Sequence, residues 1–409
     1  MVAALVDAFR TPAYPRSMVE GQRVYLDHAA TTPLGARVLD AMLPYLRDVW
    51  GNPSSIYLEG REARKALEAA RRTVAECLGA RPNDIVFTSG GSESDNAAIR
   101  GAAFASLRRG RHVVTSAIEH HAVLHTVEQL EREGFSATYL PVDGEGFVDL
   151  QALRRALRPD TTVVSIMYAN NEVGTVEPIA DLVRVVKEFD RHIVFHTDAV
   201  QAAGALDLDV DRLGVDMLSL AAHKIYGPKG VGALYIRPRT PFIGQVLGGS
   251  QERNRRAGTE DVAGALGLAT ALSLAVEERE ARSDHLHHLR DYLWRHLPQR
   301  LAGVRLTGAT DLTRRLPNSF SCCIEGLEGE AVLIQLDLNG IAASSGSACT
   351  TGSLEPSHVL IAMSVPVDVA RGSLRITLGK DNTRTEIDYL LEKLPAIVEK
   401  LRALAPTPR

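Results

Sequence analysis

Apolar positions along the chain keep two rhythms. Between residues 37 and 237, short continuous apolar runs (84–88, 112–116, 162–168, 193–197, 217–219 and 232–236) alternate with segments whose apolar residues recur at helical spacing. The segment REARKALEAARRTVAECLG predicts a helix, with Gly79 as its stop signal. Alternating strands and helices predict a mostly parallel sheet covered on both faces. The run 262–276 is rich in Ala and Gly, bounded by Asp261 and Glu277, and too short to span a bilayer, so it predicts a buried core helix. After residue 277 the pattern changes. A long charged helix precedes short strands near 305 and at 319–324, a helix near 330–338, a Gly/Ser-rich loop, a strand at 373–378 and a closing helix from 386 to 404. That order suits a smaller α+β domain. The expected division is a flexible leader over 1–20, a large α/β domain over 37–276, and a small domain built from 21–36 and 277–409.

Composition narrows the class. At 409 residues the chain is long for one domain. Its 45% hydrophobic and 23% charged residues are ordinary for a packed globular protein. A formal net charge of −4 argues against a nucleic-acid-binding surface as the main business. The cysteines are Cys77, Cys322, Cys323 and Cys349, which form no disulfide framework and no C-x-x-C motif. They point to a reducing cytoplasm. The first residues lack the basic start and long apolar run of a secretory signal.

Candidate chemistry follows from what comes after each predicted strand, because ligands in such sheets bind beyond the carboxyl ends of the strands. After 85–88 comes SGGSESDNAA, where Gly90 and Gly91 allow a tight turn and Ser92, Glu93 and Ser94 open a helix. Free N–H groups and the helix dipole favour a phosphate there, although a serine-capped glycine turn is common by itself. After 193–196 comes Asp198, which could pair with a protonated ring nitrogen or simply cap the next turn. After 217–220 comes AAHKIYGPKG with Lys224, which suits a Schiff base in a confined site and a surface loop otherwise. Together the three supply a phosphate cradle, a carboxylate for a pyridinium nitrogen and a covalent lysine. These are the needs of pyridoxal 5'-phosphate.

The motifs YLDHAATTP, TSGGSESDN, IEHHAV, NNEVGTV, HTDAVQ, AAHKIYGPKG, RRAGTEDV, SSGSACTTG and RITLG stand in the order seen in cysteine desulfurases of the NifS/IscS-like group of class V aminotransferases, which the chain resembles from about residue 25 to 382. The resemblance implies the fold-type-I architecture: a large domain with a mostly parallel seven-stranded sheet between helices, plus the smaller domain. It implies a homodimer that takes L-cysteine to L-alanine with pyridoxal 5'-phosphate and passes the sulfur, as a persulfide, to an acceptor or scaffold protein. Iron–sulfur assembly and tRNA thiolation are among the pathways served. No metal site, membrane span or direct nucleic-acid contact is expected.

Residue by residue, Lys224 matches the covalent lysine and His120 the histidine stacked on the ring. Asp198 matches the ring-nitrogen carboxylate and Gln201 the partner of the ring hydroxyl. Asn170 matches the asparagine near that hydroxyl and the substrate carboxylate. Gly91, Ser92, Glu93 and His223 fall at the phosphate, and Thr259 matches the threonine reaching it from the partner subunit. Arg375 matches the arginine for the substrate carboxylate, with Asn52 nearby. Cys349 matches the nucleophile that takes the sulfur, in a polar run that suits a reactive thiol better than a core. Cys77, Cys322 and Cys323 suit the core. His121 is expected to point away from His120, and His285 and His288 to lie on a solvated helix face. One departure is Ala221, where the family often has Ser, so a hydroxyl donor to the phosphate is missing. An aminotransferase or β-elimination lyase would need no Cys349, a selenocysteine lyase differs in substrate, and a non-catalytic relative would have lost Lys224 or Asp198.

Overall fold

A computed structural model describes residues 23–346 and 356–404, so the leader 1–20 and Cys349 lie outside the described residues. The large sheet has seven strands: β2 (Ile85–Thr88), β3 (His112–Ser116), β4 (Ser136–Leu140), β5 (Thr161–Ser165), β6 (Val194–Asp198), β7 (Met217–Ala221) and β8 (Gly232–Ile236). Their order is β2-β8-β7-β6-β5-β3-β4. Only β8 runs against its neighbours β2 and β7. Pleating sends successive side chains to opposite faces. Accordingly Val113, Val163, Val194, Met217 and Leu234 pack on one face, with the Gly91–Ala105 and His121–Arg132 helices. Val114, Val164, Phe195, Leu218 and Tyr235 pack on the other, with the helices Leu58–Cys77, Ile179–Phe189 and Val262–Glu277. Burial on both faces is why the central strands are continuous apolar runs.

The pattern left β4 unmarked. SATYL carries only one fully buried side chain and sits at the sheet edge, so its apolar signal is weak. Gly79 stops the Leu58–Cys77 helix as expected, at φ +64°, where a Cβ would strain the backbone.

A second core gathers residues distant in sequence. Strands β9 (Val304–Leu306), β10 (Ser319–Ile324) and β12 (Ser373–Thr377) form an antiparallel sheet in the order β12-β10-β9. The helices Arg279–Arg300, Gly329–Leu338 and Arg384–Leu404 cover it. β1 (Val24–Tyr25) pairs in parallel with β11 (Ile341–Ala342), which brings the start of the described chain into this core. No helix among the described residues is long and apolar enough to cross a membrane.

Candidate active site

Gly91, Ser92, His120, Asp198, Gln201, His223, Lys224 and Arg375 line one cavity of about 270 Å³. Most come from chain leaving the carboxyl ends of β2, β3, β6 and β7, where the strand ends leave room for a ligand. Arg375 arrives from β12.

Lys224 ends the single 3₁₀ turn that follows β7. Its ammonium donates to the carbonyls of Ala29 at 2.5 Å and Ala30 at 2.8 Å. That carbonyl pair is locked onto the lysine's own turn. Thr32 donates from its N–H and its hydroxyl to the His223 carbonyl, and Tyr226 N–H donates to Thr32 Oγ1 at 2.7 Å. Tyr226 holds φ 67°, a left-handed conformation costly for a side chain of its size. The tight turn therefore presents the lysine to the cavity instead of to solvent.

Asp198 is buried at the end of β6 and accepts from Val200 N–H at 2.9 Å. Burial raises its pKa to about 6, against the Val200 N–H and the Lys224 charge, which lower it. His120 caps the His121–Arg132 helix, its Nδ1 accepting from Ala122 N–H at 3.1 Å. Burial, with Lys224, His121 and His125 adding to it, lowers its pKa to about 4, so the ring is neutral at physiological pH with its proton on Nε2. His121 turns away and lines an adjoining groove with His125. His223 is likewise lowered to about 4, by burial and then by Lys224 and Lys229. Its Nδ1 lies 3.2 Å from Thr31 Oγ1. Gln201 donates to Ala29 O at 3.0 Å, which fixes its amide at the wall.

The end expected to take the phosphate is a helix N-terminus. Gly90 sits at φ +151°, and a Cβ on Gly91 would lie 2.9 Å from Val200 Cγ2. Both glycines are thus required for the approach. The first N–H groups of the Gly91–Ala105 helix have no carbonyl one turn back, and they open beside Ser92. The Glu93 carboxylate turns elsewhere, accepting from Ser89 N–H and from Arg256 Nε at 2.9 Å. Only its backbone N–H belongs to the cradle.

Arg375 supplies the opposite end. Nη2 pairs with Asp27 Oδ1 at 2.8 Å and Nη1 donates to Asn171 O at 3.1 Å. Its Nε is buried and has no acceptor among the described residues. The side chain lines the cavity, and a guanidinium there suits a carboxylate. Asn170 is buried just outside the lining. Its amide donates to Ile118 O, and its Oδ1 accepts from Glu172 and Val173 N–H, so it shapes the turn while Asn171 meets the cavity. Asn52 is exposed and accepts from Ser54 N–H, and Thr259 is exposed too; neither lines the cavity. Cys322 and Cys323 are buried on β10 and Cys77 half-buried, and burial pushes each thiol above its ordinary pKa. His285 and His288 are exposed, with His285 Nε2 2.8 Å from Asn382 O.

Six lining residues escaped the sequence reading: Ala29, Ala30, Asp95, Met167, Asn171 and Val200. Asp95 is one helical turn beyond Ser92 and therefore on the same helix face. Its Oδ1 is buried with no hydrogen-bond partner among the described residues, His196 Nε2 lying 3.7 Å away, and burial together with the Asp198 charge raises its pKa. The Ser92–Asp95 spacing was the available signal. Nothing in the alanines announces a carbonyl pair for a lysine.

Residues 24–390 match the family described as aminotransferase class-V. A protein named cysteine desulfurase IscS from Dictyoglomus turgidum is 52% identical over 385 residues, covering 94% of this chain and 97% of that one. A solved NifS-like protein superposes with a TM-score of 0.87 at 40% identity, covering 93% of this chain and all of its own. A structure described as SspA in complex with cysteine superposes with a TM-score of 0.76 at 37% identity, covering 88% and 100%.

Proposed function

The chain belongs to the class-V aminotransferase family, and from that premise we propose that it is a cysteine desulfurase, releasing sulfur from L-cysteine and leaving L-alanine. The observation that carries the reading is the convergence of Lys224, Asp198, His120 and the Arg375 guanidinium on one cavity. Relatives named cysteine desulfurase, similar over nearly the whole chain, support it.

The cofactor is pyridoxal 5'-phosphate, which when bound supplies an aldehyde for an amine and a ring that withdraws electron density from the substrate's Cα. The residues present fit it. Lys224 would hold the aldehyde end, and Asp198 would keep the ring nitrogen protonated. Gln201 would serve the ring hydroxyl and His120 the ring face, while Asn170 holds the turn that brings Asn171 to the cavity. The N–H groups of Gly91, Ser92 and Glu93, the Ser92 hydroxyl and His223 take the phosphate, and Thr259 of a second copy reaches it. Arg375 would take the substrate carboxylate; Asn52, exposed and outside the lining, is a second candidate by resemblance alone. The Lys224 amine, once released, moves the proton at Cα. The Cys349 thiolate attacks the substrate sulfur: an S–S bond forms, the Cβ–S bond breaks, and its electron pair takes a proton to complete the alanine methyl group. His120, neutral and carrying its proton on Nε2, is placed for that transfer. The raised thiols of Cys77, Cys322 and Cys323 support giving the sulfur to Cys349. The persulfide then passes to an acceptor or scaffold protein, as in iron–sulfur assembly or tRNA thiolation. A reducing cytoplasm suits this chemistry.

The division into a large domain over 37–276 and a small one from 21–36 and 277–409 belongs to the same reading, supported by the separate cores. A homodimer is supported by exposed apolar side chains: Leu39, Leu43 and Leu46 along one helix face, then Trp50, Ile56 and Leu247.

The test uses purified wild type, Lys224→Ala and Cys349→Ser with L-cysteine. Wild type is expected to be yellow and to release alanine and sulfide. Lys224→Ala loses the absorbance band, and Cys349→Ser keeps the band but not sulfur release. A wild type that stays colourless after reconstitution sinks the proposal.

A further inference from the structure

The segment that carries Cys349 is attached to the described chain at Gly346 on one side and, on the other, at Pro356, which Ser357 follows. Both attachments meet one carboxylate. Glu172 is 4% exposed, and Ser357 Oγ donates to its Oε2 at 2.5 Å. On the other stem, a Cβ built on Gly346 would lie 2.2 Å from the same oxygen. Glycine is therefore required there, because any side chain would displace the carboxylate or the stem.

Glu172 is itself held by the substrate end of the cavity. Its N–H donates to Asn170 Oδ1 at 2.8 Å, and the neighbouring Asn171 carbonyl accepts from Arg375 Nη1 at 3.1 Å. Arg375 returns to the first stem through its backbone: its N–H donates to Ser344 O at 2.7 Å, and Ser344 N–H donates to Arg375 O at 3.1 Å. The turn 170–172, Arg375 and the two stems thus form a closed ring. Ser357 Oγ also accepts from Leu360 N–H and caps the His358–Ala362 helix, so the second stem is fixed to regular structure.

We propose that Glu172 is a positioning residue for sulfur transfer: by holding Gly346 and Ser357 against the turn that also holds Arg375, it registers the Cys349 segment to the substrate. The proposal rests on reading Cys349 as the nucleophile and Arg375 as the carboxylate site. Cys349 is three residues beyond Gly346, a reach of at most about 11 Å along an extended chain. The position of Gly346 relative to Arg375 therefore limits where the thiol can meet the substrate sulfur, and attack is steeply sensitive to misplacement.

The experiment measures two quantities in the holoenzyme. One is the single-turnover rate at which sulfur from L-cysteine appears on Cys349, read by mass spectrometry. The other is the dissociation constant of L-cysteine, read from the change in the cofactor band. Glu172→Ala is expected to slow sulfur appearance by about 10- to 100-fold while the dissociation constant stays within about twofold. Glu172→Gln, which keeps an acceptor for Ser357, recovers most of the rate. Ser357→Ala slows the step like Glu172→Ala, and the double variant is no slower than either, because both remove one link. Should Glu172→Ala not fold, Ser357→Ala against Glu172→Gln carries the same comparison. An unchanged rate, a rate and affinity that fall together, or additive effects overturn the assignment. Cys349→Ser separates the two readings. If it still releases sulfide at the wild-type rate, the nucleophile reading falls and this one with it. If it is inactive while Glu172→Ala is unimpaired, only the role of Glu172 falls.

Discussion

Ala221 ends β7 with a methyl group at the cavity wall, 3.7 Å from where a Cβ on Gly91 would stand. A hydroxyl at this position would face the helix N-terminus proposed to take the phosphate. One hydrogen bond to a charged group contributes about 1.5–3 kcal/mol. Ala221→Ser is therefore expected to tighten cofactor binding about tenfold or more, measured by equilibrium dialysis; unchanged or weaker retention would contradict the argument. Glu177 shows the opposite situation, a carboxyl with too little support. It accepts only from Val148 N–H, at 3.2 and 3.3 Å, and burial raises its pKa from 4.5 to about 8, aided by Glu119 and Asp143. Between those values the folded chain holds a proton that the unfolded chain has lost, so this group's contribution to stability falls as pH rises and is lost above about 8. Glu177→Gln removes the dependence. Its denaturation midpoint relative to wild type should become more favourable from about pH 5 to about pH 9; a relative midpoint moving the other way counts against it.

At the scale of elements, strand β2 poses a problem that side chains solve. It is an edge strand, paired only with β8. Its outward Ile85 carbonyl accepts from Arg71 Nη1 at 3.0 Å, and its outward Phe87 N–H donates to Glu252 Oε2 at 2.9 Å. Arg71 and Glu252 close the ring with contacts of 2.6 and 2.7 Å, so a buried ion pair stands where another strand would pair. Glu252, Arg253 and Asn254 reach this position at φ 45°, 58° and 64°, three left-handed residues in succession. Such strain persists only where surrounding contacts outweigh it. Removing one partner leaves the other charge buried, so Glu252→Ala should cost about 3–5 kcal/mol in urea denaturation. A cost below about 1 kcal/mol would mean that the pair is solvated and that the edge is held otherwise.

At the scale of the molecule, the cavity draws on both cores: Lys224 and Asp198 stand on the large sheet, and Arg375 on β12 of the small one. The exposed stripe Leu39, Leu43 and Leu46 then sets a condition on the assembly. If a second copy covers it and sends Thr259 to the phosphate, the double variant Leu43→Arg with Leu46→Arg should sediment as a monomer and lose cofactor faster than wild type. A dimer of unchanged stability would show that another face mediates assembly.

Local chemistry in the sequence determined the strand–helix alternation, the glycine turn, and Lys224 and Asp198 as candidates, because strand burial, helix starts and strand ends leave marks within a few residues; Arg375 came only from the resemblance. Gly79 and the 262–277 helix were legible for the same reason. β4 was not, because an exposed edge strand needs little apolar character. Tertiary structure alone decided which parts of each residue are used. It sent the Glu93 carboxylate to Arg256 and turned the Asn170 amide into a scaffold. It also set the Ala29 and Ala30 carbonyls on Lys224, 195 and 194 residues away in sequence. Glu172 likewise meets Ser357 across 185 residues. Contacts of that separation carry no periodicity in the chain; they exist only once both cores have packed and fixed the distances between their loops.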